Sequence, residues 1–115
     1  MADFRCGLEA VLYLVGGKWK LLILYHLNDG PRRFGELQRC LGGVSMKMLS
    51  QQLKEMASHG IIRRIDRKTV PPHVEYEMTK FGYDLARAVE PLCQWGTKHM
   101  REVEGVSRKR SLKAA

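Results

Sequence analysis

Residues 34–68 read "FGELQRCLGGVSMKMLSQQLKEMASHGIIRRIDRK", and the order of patterns within them decides the fold. Phe34, Leu37 and Leu41 recur at helical spacing and stop at Gly42 and Gly43, which defines a short helix. Ser45 then stands where a helix N-cap belongs, ahead of a second periodic run from Met46 to His59 that Gly60 closes. An advance of about 100° per residue gathers Lys47, Ser50, Gln51, Lys54 and Ser58 on one side of this second helix. Met46, Leu49, Leu53, Met56 and Ala57 fall on the other, the side expected to pack. The polar side offers lysines, an amide and hydroxyls, with its nearest carboxylate, Glu55, at one edge. That chemistry suits nucleic acid, because Gln pairs with an adenine edge and Lys with guanine or phosphate.

The stretch that follows, "IIRRIDRKTVPPHVEYEMT" (residues 61–79), is rich in β-branched and aromatic residues around two central prolines and reads as a two-stranded hairpin. It carries Arg63, Arg64, Arg67 and Lys68 beside Asp66, a basic tip able to reach phosphates. Arg32 and Arg33, just before the short helix, are candidates for backbone contacts that position a reader without specifying sequence. Upstream, "GLEAVLYLV" places Leu8, Val11, Leu12 and Val15 on one face of a first helix, stopped by Gly16 and Gly17. "KWKLLILYHLND" is apolar nearly all round, so a second helix is expected at the buried centre. Thr79 caps a last helix that runs through Pro91 toward Val103, with a bend or a lost hydrogen bond expected at the proline. The expected order is α-α-α-α-β-β-α: a mainly α fold with a small β wing (α+β), the winged helix-turn-helix, whose second paired helix enters the major groove. One domain with terminal dimerisation helices is expected over residues 1–105, followed by a disordered basic tail over 106–115.

Length and charge narrow the function. A chain of 115 residues is long enough for one modest core without staples. Its net charge of +8 points to an anionic partner, and nucleic acid is favoured over membrane because no apolar span, lipid anchor or basic amphipathic end-helix stands out. The tail supplies part of that charge through Arg108, Lys109, Arg110 and Lys113. With no secretory leader pattern, and three cysteines that match neither a disulfide framework nor a metal site, the expected location is the cytoplasm. Without paired acids, a phosphate loop or a ligand cluster, the chain reads as a non-enzyme that needs no cofactor or metal.

Along the last helix, Leu85, Val89, Leu92, Gly96, His99 and Val103 form a seam at spacings of four and three, with Trp95 on its flank. A second copy of the chain is its natural cover, with Leu8 of the first helix joining the same interface. Two reading helices related by a twofold axis would meet half-sites about 34 Å apart.

Three segments carry a specific resemblance: "GGKWKLLILYHLNDGPRRFGELQRCLGGVSMKMLSQQLKEMASHGIIRR", "VPPHVEYEMTKFGYDL" and "WGTKH". Between Cys6 and His99 the chain resembles the HxlR-type winged helix regulators of bacteria, part of the MarR-like superfamily. The resemblance implies a homodimer that binds double-stranded operator DNA and controls nearby genes. It would turn Ser45, Lys47, Ser50, Gln51 and Lys54 toward the groove, and Arg64 with Pro71 and Pro72 toward the backbone. His73 stands where the family usually has Arg, which replaces a fixed charge in the wing by one that depends on pH.

The resemblance also bears on Cys6, since members often carry a cysteine there and some respond through it to oxidants or electrophiles. A helix N-terminus and Arg5 polarise its surroundings in the sense that activates thiols, while Glu9 opposes them. Gly7 replaces the usual proline and leaves the first turn looser. Cys93 of the second copy is a candidate disulfide partner, and Cys40 reads as a small buried hydrophobe. The expected function is a sequence-specific homodimeric repressor of a near-palindromic operator, released when Cys6 is oxidised or modified. Two alternatives stand beside it: a winged helix that binds protein, and a regulator that answers to a non-redox small molecule.

Overall fold

The computed structural model describes residues 3–114. The chain divides between Asp84 and Leu85 into two compact units. The first contains α1 (Gly7–Val15), α2 (Lys20–Leu27), β1 (Arg32–Arg33), α3 (Phe34–Leu41), α4 (Met46–Ser58), β2 (Ile62–Asp66) and β3 (Val74–Met78). The helix α5 (Lys80–Lys98) begins there and continues into the second unit, which also holds α6 (Met100–Ala114). This is the expected winged helix, with two additions: β1, and a second C-terminal helix.

The core of the first unit is a layer of aliphatic side chains. Ile23 and Leu27 from α2, Leu37 from α3, Leu49, Leu53 and Met56 from α4, and Ile61 and Ile62 entering β2 are all essentially inaccessible. The helix α2 is less enclosed than its composition implies, because Leu22 and Tyr25 lie on the surface and the buried stripe runs through Lys20, Ile23, Leu24 and Leu27. Met46, assigned to the packing side of α4, is 66% exposed; it lies a full turn before the first core contact, Leu49.

Antiparallel pairing orders the sheet β1-β3-β2. In the hairpin Ile62 faces Met78, Arg63 faces Glu77 and Ile65 faces Glu75, while Arg32 of β1 faces Tyr76. Two residues have no periodicity to detect, so β1 exists only by virtue of its partner strand. Gly82 is required at the start of α5: a Cβ there would collide with the carbonyl of Ile61. Thr79 caps the same turn, its hydroxyl accepting the N–H of Gly82 at 3.1 Å and donating to the carbonyl of Gly60 at 2.6 Å.

In the second unit α5 runs unbroken past Pro91, and the interruption falls at His99 instead. It is slight, since His99 N–H still reaches Trp95 O and Val103 N–H reaches His99 O, both at 3.0 Å. Residues 106–114, expected as a disordered tail, continue α6. Arg, Lys, Leu and Ala are good helix formers, extension needs no new nucleus, and cations suit a helix C-terminus.

Candidate nucleic-acid interface

The reading helix is set by its ends. Ser45, extended at φ −74° and ψ 156°, accepts the backbone N–H of Met48 at 3.0 Å, a side-chain cap on α4. Gly42 and Gly43 turn the chain before it with φ of 53° and 88°, a region that strains residues with a Cβ. Gln38 of α3 braces this turn by donating to Val44 O at 3.4 Å. Beyond the other end, Gly60 takes φ 74°.

Between those ends Lys47, Gln51 and Lys54 are exposed and Ser50 is half-buried; with Glu55 they line one surface hollow. Neither lysine has an ion pair among the described residues. Glu55 does: its Oε2 lies 2.7 Å from Nζ of Lys20, a residue of α2 that is only 7% exposed. This bond, followed by the charge of Lys20, holds the Glu55 carboxyl below the ordinary carboxylate range, and a hydrogen bond from the side chain of Gln51 adds to the effect. The carboxylate at the edge of the reading face is thus neutralised from beneath. Lys20 escaped the sequence reading because it sits in an apolar run and its partner is on another helix.

The wing is organised differently. Arg63 Nε pairs with Glu77 Oε1 at 2.7 Å, and Arg67 meets Glu75 Oε1 through Nε at 2.9 Å and Nη2 at 2.8 Å. Counting only Asp66 against the basic tip therefore overstated its free charge, because two acids of β3 lie across the ladder. His73 adds a third group to that cluster, Nε2 standing 3.5 Å from the same Glu75 oxygen. The hydrogen bond from Arg67, and then that from His73, hold the Glu75 carboxyl below the ordinary carboxylate range. Arg64 and Lys68 remain exposed without ion pairs among the described residues, and Lys68 takes the left-handed φ of 53°.

The arginines before α3 also separate. Arg32, half-buried, donates Nε to His26 O at 2.6 Å and so closes the end of α2. Arg33 is exposed; its backbone N–H donates to Glu36 Oε1 at 2.9 Å, leaving its guanidinium without an ion pair among the described residues. Lys47, Ser50, Gln51 and Lys54 are thus brought together on one face, whereas Arg32 and Arg67 are engaged within the fold.

A short helix, a two-glycine turn, a capped helix with an open cationic face, and a hairpin directly after it make a winged helix-turn-helix. The HxlR-like helix-turn-helix profile matches residues 14–104. The chain belongs to the HxlR family. This HxlR protein is 43% identical over 102 residues to the HTH-type transcriptional regulator YtcD of Bacillus subtilis, covering 89% of this chain and 81% of YtcD. Its fold superposes on the solved structure of YtcD with a TM-score of 0.77 at 42% identity, over 84% of this chain and 99% of that one. It superposes on the redox regulator HypR in its reduced form with a TM-score of 0.81 at 37% identity, over 87% and 99% of the two chains. As a member of the HxlR family it is a helix-turn-helix transcriptional regulator, and the family is not one of enzymes. No helix among the described residues is long and apolar enough to cross a membrane.

The three cysteines are all exposed. For Cys40 this corrects the expectation of a small buried side chain: the buried stripe of α3 passes through Leu37 and Leu41 and leaves Cys40 at the surface. Cys6 is the N-cap residue of α1, with no side-chain cap bond, and beside it Arg5 Nε reaches Glu9 Oε2 at 3.5 Å. The seam residues Leu92 (62% exposed), Trp95 and Val103 lie open in the second unit, with Leu85, Val89, Gly96 and His99 half-buried. Leu8 and Leu12 are similarly open on α1.

Proposed function

We propose that the chain is a homodimeric repressor that reads a near-palindromic operator through α4 and releases it when Cys6 is oxidised or modified by an electrophile. The observation that carries DNA reading is the face of α4: two lysines with no ion pair among the described residues and an amide, with the adjacent carboxylate neutralised by Lys20. Ser45, Lys47, Ser50, Gln51 and Lys54 face the groove, and Arg33, Arg64 and Lys68 bind phosphates. Arg67 joins them only by exchanging Glu75 for phosphate, and Arg32 acts through the placement of β1.

Dimerisation is supported by the open apolar residues of α1 and α5, which a second copy would cover. Release is supported by the exposed N-cap position of Cys6, by the ring contact of Tyr13 in α1 with His59 at the end of α4 (centroids 5.6 Å apart), and by the likeness to HypR, a redox regulator. Either a quinone adds to the Cys6 sulfur, or an oxidant takes two electrons and two protons from Cys6 and Cys93 of the second copy as a disulfide forms. A gel-shift titration with the DNA upstream of its own gene is expected to show a retarded complex at moderate salt, dissociated by diamide or quinone in the wild type but not in Cys6→Ser. No complex below micromolar protein would defeat the DNA reading, while retained sensitivity of Cys6→Ser would move release to Cys40 or Cys93.

A further inference from the structure

The acid on the reading face has its partner on another helix. Glu55 lines the same hollow as Lys47 and Lys54, yet its Oε2 lies 2.7 Å from Nζ of Lys20 on α2. The two ends of this pair stand in different surroundings, since the Lys20 side chain is 9% exposed and that of Glu55 42%.

An exposed partner would not keep a carboxylate neutralised in front of DNA. A surface lysine is screened by salt and a phosphate competes for it, so the acid would be left to repel the backbone. Lys20 is not lost in this way: a side chain so enclosed cannot follow a phosphate, and parting it from Glu55 would leave a charge unpaired among aliphatic neighbours. The wing has the other arrangement. The side chains of Arg63 and Arg67 are 64% and 47% exposed, so phosphate can take either from its glutamate.

We propose that Lys20 is a positioning residue for DNA binding, a captive counter-ion that holds Glu55 against the fold so that α4 meets DNA as a cationic face although it carries an acid. The inference rests on the DNA-reading function proposed above, and it extends the determinants of affinity into the core.

The test titrates the full-length wild type, Lys20→Met and Lys20→Met/Glu55→Gln against the duplex that the wild type selects from a randomised pool and against an unrelated duplex, at low and high salt. Met keeps the length of the lysine stem and removes its charge. In Lys20→Met the half-exposed carboxylate turns to water, so the urea midpoint is expected to stay close to that of the wild type. Affinity for both duplexes is expected to fall roughly tenfold at low salt, with a smaller loss at high salt. The double variant, which has neither charge, is expected to recover wild-type affinity. A purely structural role of Lys20 does not predict that recovery, because Glu55→Gln rebuilds nothing at the Lys20 site. In the wild type, the Glu55 carboxyl carbon is expected in NMR spectra to titrate below the ordinary 4.5 at either salt concentration, a readout that needs no variant to fold.

Wild-type affinity in Lys20→Met, a loss that the folded double variant retains, or a Glu55 carboxyl that titrates at its ordinary value would overturn the inference while leaving DNA reading intact. A wild type that selects no sequence from the pool would instead defeat the reading on which it rests.

Discussion

The helix α4 carries two lysines and the wing four cations, Arg63, Arg64, Arg67 and Lys68, and the two elements hold them in opposite ways. On α4 the lysines have no ion pair among the described residues and the nearby acid is tied to a buried lysine; on the wing Arg63 and Arg67 are tied to acids of their own sheet. Three inaccessible side chains anchor α4, whereas most wing residues are exposed. A rigid, capped element with uncommitted polar groups is suited to base edges, and an exposed ribbon with a few spare charges to phosphates. Under the proposed function, the contrast gives selectivity to one element and general affinity to the other.

The largest effect expected from breaking this contrast is on the anchoring of α4. Leu53, 1% exposed, replaced by alanine should cost about 2–5 kcal/mol of unfolding free energy in urea titrations at fixed protein concentration. The Ser45→Ala change removes only the cap, and about 1 kcal/mol is expected from the same measurement. Wing substitutions should leave stability nearly unchanged and act on salt dependence. Arg64→Ala or Lys68→Ala should reduce the slope of log affinity against log salt by about one. Arg67→Ala should reduce it less, since its charge is already spent on Glu75.

These differences were unevenly legible in the sequence. Ser45, Thr79 and Gly60 announce helix ends through local chemistry, and the stripe of Leu49, Leu53 and Met56 announces the packing face, so the helix-turn-helix could be read without coordinates. Groups that act across space could not. Lys20 looks like one polar residue in an apolar run, and the close approach that excludes a side chain at Gly82 is a tertiary contact. The pairing of Arg63 with Glu77 had a usable signal: a register drawn through the hairpin sets opposite charges face to face. Met46 and Cys40 misled because helical angle alone does not say how far a core extends along a helix.

The smallest expected effect is on pH dependence. His26 has its pKa lowered from 6.5 by burial and then by Arg32, so the stability it contributes is complete above that pH and declines as pH falls through its folded value. Glu55 and Glu75 are lowered from 4.5, so theirs is complete above that pH and is lost only as pH falls through their folded values. Urea midpoints measured from pH 7.5 down to 3 should therefore fall in two steps, and Glu55→Gln should shrink only the more acidic one.

The division of labour between helix and wing is tested most directly by repeating the selection from a randomised duplex pool with three proteins: the wild type, Gln51→Ala and Arg64→Ala. The account predicts that Gln51→Ala yields a consensus relaxed at one base pair per half-site, while Arg64→Ala yields the wild-type consensus at lower affinity. A consensus altered by Arg64→Ala and untouched by Gln51→Ala would contradict it.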